Sequence, residues 1–383
     1  MTSIIRPVFA LILTAIVASD SSDFVKETIL EDPPLVKKRK QLEKEREECL
    51  FKRNSCDVYG PPETQLEPIY LLERLLADGN RNYMGKLCHM HAWQFFLLAD
   101  RLKPLIERPR RRPDKSRPEK KGHDCHFDYY HRLFFCLEWL NSGAFFRTSE
   151  FRTGWGKTSL NDDNEHVLEA IVEGLEDQVV WPDAAQRASW ALIHRHILRQ
   201  MIGVMDIREH EVEKPKNKIK ERKTWSGKKK KNTWRNLSIM DWTGRFIYVH
   251  VGLAKNDRDM WTSTPLYLQE GLFFSPGEYV MNDGGFEGDG PCKSSYPNPG
   301  ADIDKKLFNV AFKEVRQGIE TAYSRTCRWF PILGNNKQKW NYSDTVLQLA
   351  VHAASRLHNF IMNTENLSYD ALSNPENWYR DYY

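Results

Sequence analysis

Three acidic residues stand where a fold could gather them around a metal ion. Asp206 follows the apolar run 201–205, Asp283 follows the run 279–281 after one asparagine, and Glu320 comes 37 positions after Asp283. Carboxylates only a few ångströms apart repel one another, so a cluster of them stays ionised only around a cation. Hard oxygen ligands with room for water suit magnesium or manganese rather than zinc. We therefore expect these acids to bind Mg²⁺ or Mn²⁺.

The elements that must position these acids can be read from the same stretch. We expect both aspartates at the carboxyl ends of buried strands, where open α/β sheets form their sites, although one aspartate after an apolar run is more often a turn residue or a helix cap. Between these strands the sequence predicts strands 233–240 and 246–251, the tight turn 241–244 that joins them, and a crossover helix over 258–268. A strand, a hairpin, a helix and a strand parallel to the first predict a ribonuclease H-like mixed α/β sheet with flanking helices.

Two long amphipathic helices follow these strands. Glu320 lies on the flank of the first helix, beside an apolar stripe that is expected to pack on the sheet. The last helix is predicted over 345–362. The stripe of the first helix consists of Phe308, Phe312, Val315, Ile319 and Tyr323.

An all-helical region is predicted before the sheet. Helices over 129–140 and 159–175, with a glycine turn at 154–156 between them, predict a helix-turn-helix-like unit, and an ordinary helical bundle stays open as the alternative. Acidic residues open the second helix, where their charge would repel phosphates. Any DNA contact by this unit should therefore use Arg147, Arg152 and Lys157 instead. The acidic residues are Asp162, Asp163 and Glu165, which follow Asn161.

The chain has 383 residues, 40% of them hydrophobic, and a net charge of +4. Changes in composition along the chain divide it into six segments. The basic runs 108–121 and 228–231 indicate solvated linkers, phosphate-binding segments or a nuclear import signal, and we expect Lys228, Lys229, Lys230 and Lys231 to contact nucleic acid. The predicted segments are a hydrophobic N-terminus with a charged arm (1–60), a helical segment (61–108), a basic proline-rich linker (109–124), the helix-turn-helix-like domain (125–198), the catalytic domain (199–363) and a tail (364–383).

The seven cysteines are odd in number and irregularly spaced, which favours a reducing compartment over a disulfide framework. One His/Cys cluster could supply zinc ligands, but its spacing matches no common finger, and the alternative is a set of unrelated helix and loop residues. The cluster comprises Cys88, His89, His91, His123, Cys125 and His126.

The N-terminus indicates a different compartment from the rest of the chain. The apolar run 8–18 is typical of a secretory signal, and Asn-x-Ser sequons occur at Asn236, Asn341 and Asn366. The run is too short for a membrane span, and it equally fits a hydrophobic helix or a gene-model artefact. We expect a nuclear protein with no membrane contact, and secretion is the alternative.

Four segments resemble the PIF/Harbinger-type DDE transposases and their domesticated nuclease relatives. The segment IGVMD, ending at Asp206, resembles the first-acid motif, NDRDMW places Asp259 as an additional acid, and YVMNDGGFEG resembles the motif of the second aspartate, Asp283. FNVAFKEVRQGIETAY is similar to the family's Phe-Asn, Arg, Glu motif, which assigns Glu320, and Leu357-His358-Asn359-Phe360 is similar to its C-terminal signature.

The resemblance implies a metal-dependent DNA endonuclease or transposase. Asp206, Asp283 and Glu320 would bind two Mg²⁺ ions, with Asp259 as a supporting ligand or an orienting residue. DNA is the implied substrate, a Myb-like protein is an implied partner, and the formation of a homo-oligomer is left open. The sequence departs from the family at Asp206-Ile207-Arg208, where the family has Asp-Gly-Thr, so the alternative is a domesticated DNA- or protein-binding protein that does not cleave.

Overall fold

The computed structural model describes residues 88–90, 92–108, 128–142, 157–193, 198, 200–253, 256–283, 290–334, 340 and 342–364. All of them lie in one compact unit, 66–383. The hydrophobic N-terminus, the charged arm and most of the basic linker lie outside the described residues, and so does the predicted glycine turn at 154–156. Within the described residues, no helix is both long enough and apolar enough to cross a membrane.

The residues described before the sheet are mostly helical. Arg132 on the second helix donates to Asp163 on the third at 2.9 Å, and both side chains are buried. The structure therefore corrects the interpretation of Asp163 as part of an acidic surface, because this carboxylate holds two helices together. The helices are α1 (Ala92–Ile106), α2 (Tyr129–Ser142), α3 (Lys157–Gly174) and α4 (Ala184–Ile193).

The described strands form one mixed sheet. Strand β1 lies at its centre, antiparallel to β3 and parallel to β5, while β4 pairs with β3 and β6 with β5. A short strand, β2, pairs with the first residues of β3. The strands are β1 (Met201–Glu211), β2 (Trp225–Ser226), β3 (Lys231–Met240), β4 (Phe246–Gly252), β5 (Tyr279–Met281) and β6 (Cys292–Lys293), and the helix α5 (Lys218–Thr224) precedes β2.

The predicted hairpin is confirmed. Asp241 holds the turn because its carboxylate accepts from the backbone N–H groups of Thr243 and Arg245, at 2.8 and 3.0 Å. Gly244 has a φ of 82°, a conformation that residues with a side chain rarely adopt. Asn236 lies buried inside β3 and its side chain accepts from Ser238, so this sequon is not at the surface.

The crossover between β4 and β5 is broken into short helices rather than formed by the single predicted helix 258–268. The interruption follows from Pro265, which cannot donate a backbone hydrogen bond and therefore starts a new helix, capped by Thr264. The helices are α6 (Asp257–Thr262), α7 (Pro265–Leu268) and α8 (Glu270–Phe273).

Each face of the sheet has its own apolar cluster. The crossover helices cover one face, where Trp261 is fully buried against β1, β3 and β5. The other face is covered by α9 (Ile303–Trp329) and α10 (Asp344–Thr364), which also packs against α3. The predicted stripe of α9 is confirmed, since Phe312, Ile319 and Tyr323 are buried in this cluster. The sheet is thus a central layer between helices.

Candidate active site

The register of β1 and β5 brings the two aspartates to one edge of the sheet. The parallel pairing of these strands ends at Val204 and Met281, and each aspartate stands two residues further along its chain. Asp206 was predicted at the end of a strand, but it lies inside β1, because β1 continues to Glu211 by pairing with β3. It lies instead where β1 loses its parallel neighbour, so its side chain can face Asp283.

Helix α9 supplies the third acid. Its N-cap is Asp302, whose side chain accepts from the backbone N–H of Lys305. Tyr323 is buried on the same helix, and its hydroxyl donates to the backbone carbonyl of Asp206 at 2.9 Å. This bond fixes the helix against β1, so that the exposed carboxylate of Glu320, on the same helical turn, lies at the cavity that Asp206 lines.

The electrostatics of Asp206 show that the three acids are close to one another. Burial is the largest cause of the raised pKa of Asp206, which lies at about 6, and the carboxylates of Asp283 and Glu320 contribute to the increase. The backbone N–H of Ile207 and the guanidinium of Arg316 act in the opposite direction. A carboxyl group whose pKa is raised by burial and by like charges is what a gathered acid cluster produces.

Arg316 neutralises two of the acids. Its guanidinium lies 3.2 Å from the carboxylate of Asp283 and 3.5 Å from that of Glu320, one helical turn away. All three side chains are partly exposed, so these ion pairs are weak. The sequence analysis did not assign Arg316 a role, although an arginine four residues before an acid on a helix predicts such a pair.

The donor set of these acids fits a hard divalent cation. Asp206, Asp283 and Glu320 offer carboxylate oxygens only, which Mg²⁺ and Mn²⁺ prefer. In the part of the chain that the structure describes, no three His, Cys, Asp or Glu side chains are already grouped tightly enough to hold an ion. The chemistry of the residues therefore fits the metal, and the carboxylates would have to draw closer around it.

Asp259, which was predicted as an additional acid, does not line the cavity beside Asp206. Asn256 is the N-cap of α6, and its side chain accepts from the backbone N–H of Asp259 at 2.7 Å. Asn256 and not Asp259 therefore caps α6, and the side chain of Asp259 is exposed. Asp257, which the sequence analysis missed, lines the cavity beside Asp206, and burial raises its pKa against the opposing charge of Arg235.

A cavity of 510 Å³ opens beside Asp206 and Glu320. On its wall Arg235 lies 2.9 Å from Glu209, which faces it across β1 and β3. The hydroxyl of Ser226 donates to the same carboxylate at 3.1 Å. Glu209 is thus fully engaged within the protein, and it is unsuited to serve as a further metal ligand.

Of the four predicted nucleic-acid-binding lysines, Lys228–Lys230 lie in the turn between β2 and β3, and Lys231 begins β3. Lys229 donates to the backbone carbonyl of Glu209 at 3.1 Å, and Lys231 pairs with Glu211 at 2.7 Å. Lys228 lines the cavity, and Lys230 has a φ of 56° at the tip of the turn. The structure therefore places the turn next to the acids, with Lys228 directed toward the cavity and two other lysines held on β1.

The remaining candidates are not gathered at this site. Arg147 and Arg152 lie outside the described residues, and Lys157 begins α3, with a side chain that is not described. Of the zinc candidates, Cys88 is buried in the core, where burial raises the pKa of its thiol, and His89 contacts Asn141 at 2.6 Å. Nothing in these two environments favours metal binding. The other four zinc candidates lie outside the described residues.

Comparison with known proteins gives one match. No curated protein and no solved structure matches the chain. The matching family model spans residues 205–359, from just before Asp206 to the C-terminal signature at Asn359. The sheet edge, the crossover and the helix that together carry the three acids are thus similar to the DDE superfamily endonucleases.

Proposed function

We propose that this protein is a divalent-metal-dependent DNA endonuclease or transposase, with Asp206, Asp283 and Glu320 as its catalytic acids. The observation that carries the proposal is that Asp206 and Glu320 line one cavity, while Arg316 pairs with both Asp283 and Glu320, within a stretch that matches an endonuclease family. The order of the strands, with β1 between β3 and β5, supports a ribonuclease H-like core. The motif resemblance supports the PIF/Harbinger subtype.

The three acids would hold the metal, with Asp259 or the better-placed Asp257 supporting them. When bound, a divalent cation supplies Lewis-acid chemistry that activates water or a 3′-hydroxyl and stabilises the leaving oxygen. In hydrolysis, the water oxygen bonds to phosphorus, the bond from phosphorus to the 3′ oxygen breaks, and that oxygen takes up a proton. The products are a 3′-hydroxyl and a 5′-phosphate.

The residues of the chain set the geometry for this reaction. Tyr323 fixes the backbone of Asp206, and the β1–β5 register holds Asp283 beside it. Both contacts are made by buried groups, which hold the backbone that carries the acids in place. The lysine turn, Lys228–Lys231, would supply positive charge to the backbone of the DNA strand.

A nicking assay tests the proposal. The full-length protein should relax supercoiled plasmid in the presence of Mg²⁺ and not in EDTA, and Asp206→Asn should reduce the rate by more than about 100-fold, the upper range for loss of an outer-shell partner of a metal. Asp304→Asn, an exposed acid in the first turn of α9, is the matched control and should leave the rate unchanged. Equal rates for Asp206→Asn and the natural protein would contradict the proposal.

The second candidate is a protein that binds DNA or another protein without cleaving. Arg316 favours it, because this cation already neutralises Asp283 and Glu320, and the altered residues after Asp206 favour it too. In that case the natural protein should bind a DNA duplex yet leave plasmid intact at saturating Mg²⁺ and Mn²⁺. The binding should be the same in Asp206→Asn.

A further inference from the structure

Arg208 is a cation inside the candidate active site that forms no ion pair with Asp206, Asp283 or Glu320. It stands two residues after Asp206 on β1, so the alternation of a strand directs both side chains to the same face. Its side chain is partly buried and lines the 510 Å³ cavity together with Asp206 and Glu320. The guanidinium carbon lies 5.9 Å from the ring centre of Tyr323, which limits its freedom.

The guanidinium of Arg208 has no anionic partner among the described residues. Its Nε atom is shielded from solvent and makes no hydrogen bond there, and no carboxylate lies within ion-pair distance. The neighbouring cations differ, since Arg235 and Lys229 both engage Glu209. Lys228, exposed on the turn at the cavity mouth, also lacks an ion-pair partner in the described chain.

A shielded Nε–H without an acceptor on a partly buried cation is costly, and an anion beside the guanidinium in the cavity would offset that cost. The planar fork of arginine matches the oxygens of a phosphate, and such charge-assisted pairs are among the stronger hydrogen bonds. A second cation at the cavity mouth suits the extended charge of a nucleic acid strand. A metal ion would instead be repelled from this end of the cavity.

We propose that Arg208 and Lys228 form a binding site for one backbone phosphate of the DNA strand, next to Asp206. This inference rests on the proposed function and names the residues that would position the strand at the acids. The site is a positioning site and holds no reacting atom.

Binding of a fluorescein-labelled DNA duplex to the full-length protein in EDTA tests the site without requiring catalysis. Arg208→Gln should weaken binding about 10-fold and lower the slope of log affinity against log salt by about one. Arg208→Lys keeps the charge and should recover most of the affinity. Arg101→Gln is the matched control, because Arg101 lies on α1, pairs with Asp177 and is outside the cavity, and it should bind as the natural protein does.

Two outcomes overturn the inference. One is an Arg208→Gln protein that binds DNA with unchanged affinity and salt slope, and the other is an equal loss in Arg101→Gln, which would mean that only the total charge matters. If Arg208→Gln does not fold, Lys228→Gln on the exposed turn provides the same test, with a smaller expected loss of about 3-fold.

The outcome of the DNA-binding test can be distinguished from the outcome of the nicking assay. Cleavage that depends on Asp206, together with unchanged DNA binding by Arg208→Gln, removes the phosphate site and keeps the endonuclease. Absence of cleavage, together with lost DNA binding by Arg208→Gln, removes the endonuclease and keeps the phosphate site.

Discussion

The guanidinium of Arg316 lies 3.2 Å from the carboxylate of Asp283, on an element that also carries the third acid. Arg316 therefore supplies part of the positive charge that a bound metal ion would supply at this site. Its positive charge also reaches Asp206, where it opposes the increase in pKa caused by burial. A metal ion bound by the acids must compete with this arginine, because two cations at one site repel each other.

Removing Arg316 should strengthen metal binding. We expect Arg316→Gln to bind Mn²⁺ about 3- to 5-fold more tightly than the natural protein, since partly exposed ion pairs of this kind contribute at most about 1 kcal/mol. Isothermal titration calorimetry measures the affinity directly. Lys313→Gln removes the same charge from an exposed position one turn earlier on α9 and should change the affinity less than 2-fold. Weaker Mn²⁺ binding in Arg316→Gln would mean that the arginine holds the acids in position instead.

The positions of the acids could be predicted because each depends on a local pattern. Apolar runs fixed β1 and β5, helical spacing fixed the buried face of α9, and turn residues fixed the hairpin. Asp283 after β5 and Glu320 on the flank of α9 follow from these patterns alone. The same patterns gave the parallel relation of β1 to β5.

The remaining features depend on contacts between distant parts of the chain, which no local pattern encodes. The length of β1 beyond Asp206 is set by its partner β3, and the burial of Asp163 is set by Arg132 on another helix. Asp257 and not Asp259 lines the cavity, and this depends on the start of α6, which is set by its N-cap Asn256. Pro265 was visible in the sequence, and its break in the crossover helix could have been predicted.

The stability of the fold should fall as the pH drops below about 6.5, because buried histidines must take up protons when the chain unfolds. Burial lowers the pKa of His358 and that of His210 to about 3 each. Both are neutral in the folded protein, so the stability they contribute is complete above the unfolded pKa of 6.5 and is lost as the pH falls toward 3. Each histidine adds up to about 1.4 kcal/mol of lost stability per pH unit.

Comparison with His358→Gln isolates this effect from the opposing one of Asp206, whose raised pKa makes the folded state gain protons below pH 6. Urea unfolding between pH 7.5 and pH 5 gives the slope of the unfolding free energy for both proteins. The slope of the variant should be smaller by about one proton. Identical slopes would show that His358 is protonated in the folded state or is not buried there.

Asn359 should stabilise the packing of α10 on the sheet. Its side chain accepts from the backbone N–H of Phe246 at 2.9 Å and donates to the carbonyls of Phe246 and Gln178, at 2.7 and 2.6 Å. Asn359→Ala should lower the free energy of unfolding by about 2–4 kcal/mol, because it leaves buried backbone groups without partners. Asn363→Ala, one turn later, removes two exposed side-chain bonds, to Gln178 and from Arg245, and should cost less than about 1 kcal/mol. Chemical denaturation of both variants measures the difference, and similar losses would contradict the bridging role.

Gly203 should be required for the approach of β1 to β3. A Cβ atom at this position would lie 2.5 Å from the backbone carbonyl oxygen of Met240, a contact that a backbone atom cannot relieve by a change of rotamer. Gly203→Ala should therefore separate the strands locally and lower the free energy of unfolding by about 1–3 kcal/mol. Because β1 carries Asp206 only three residues further on, nicking activity should fall as well.

Gly252→Ala on β4 is the matched control for this substitution. Its added Cβ would lie 3.7 Å from the nearest atoms, an ordinary van der Waals contact, so its melting temperature should stay within a few degrees of that of the natural protein. Thermal denaturation of the two variants compares them directly. Equal stability in Gly203→Ala and Gly252→Ala would show that β1 can shift away from Met240 without loss, and the tight β1–β3 register would then not be what fixes Asp206.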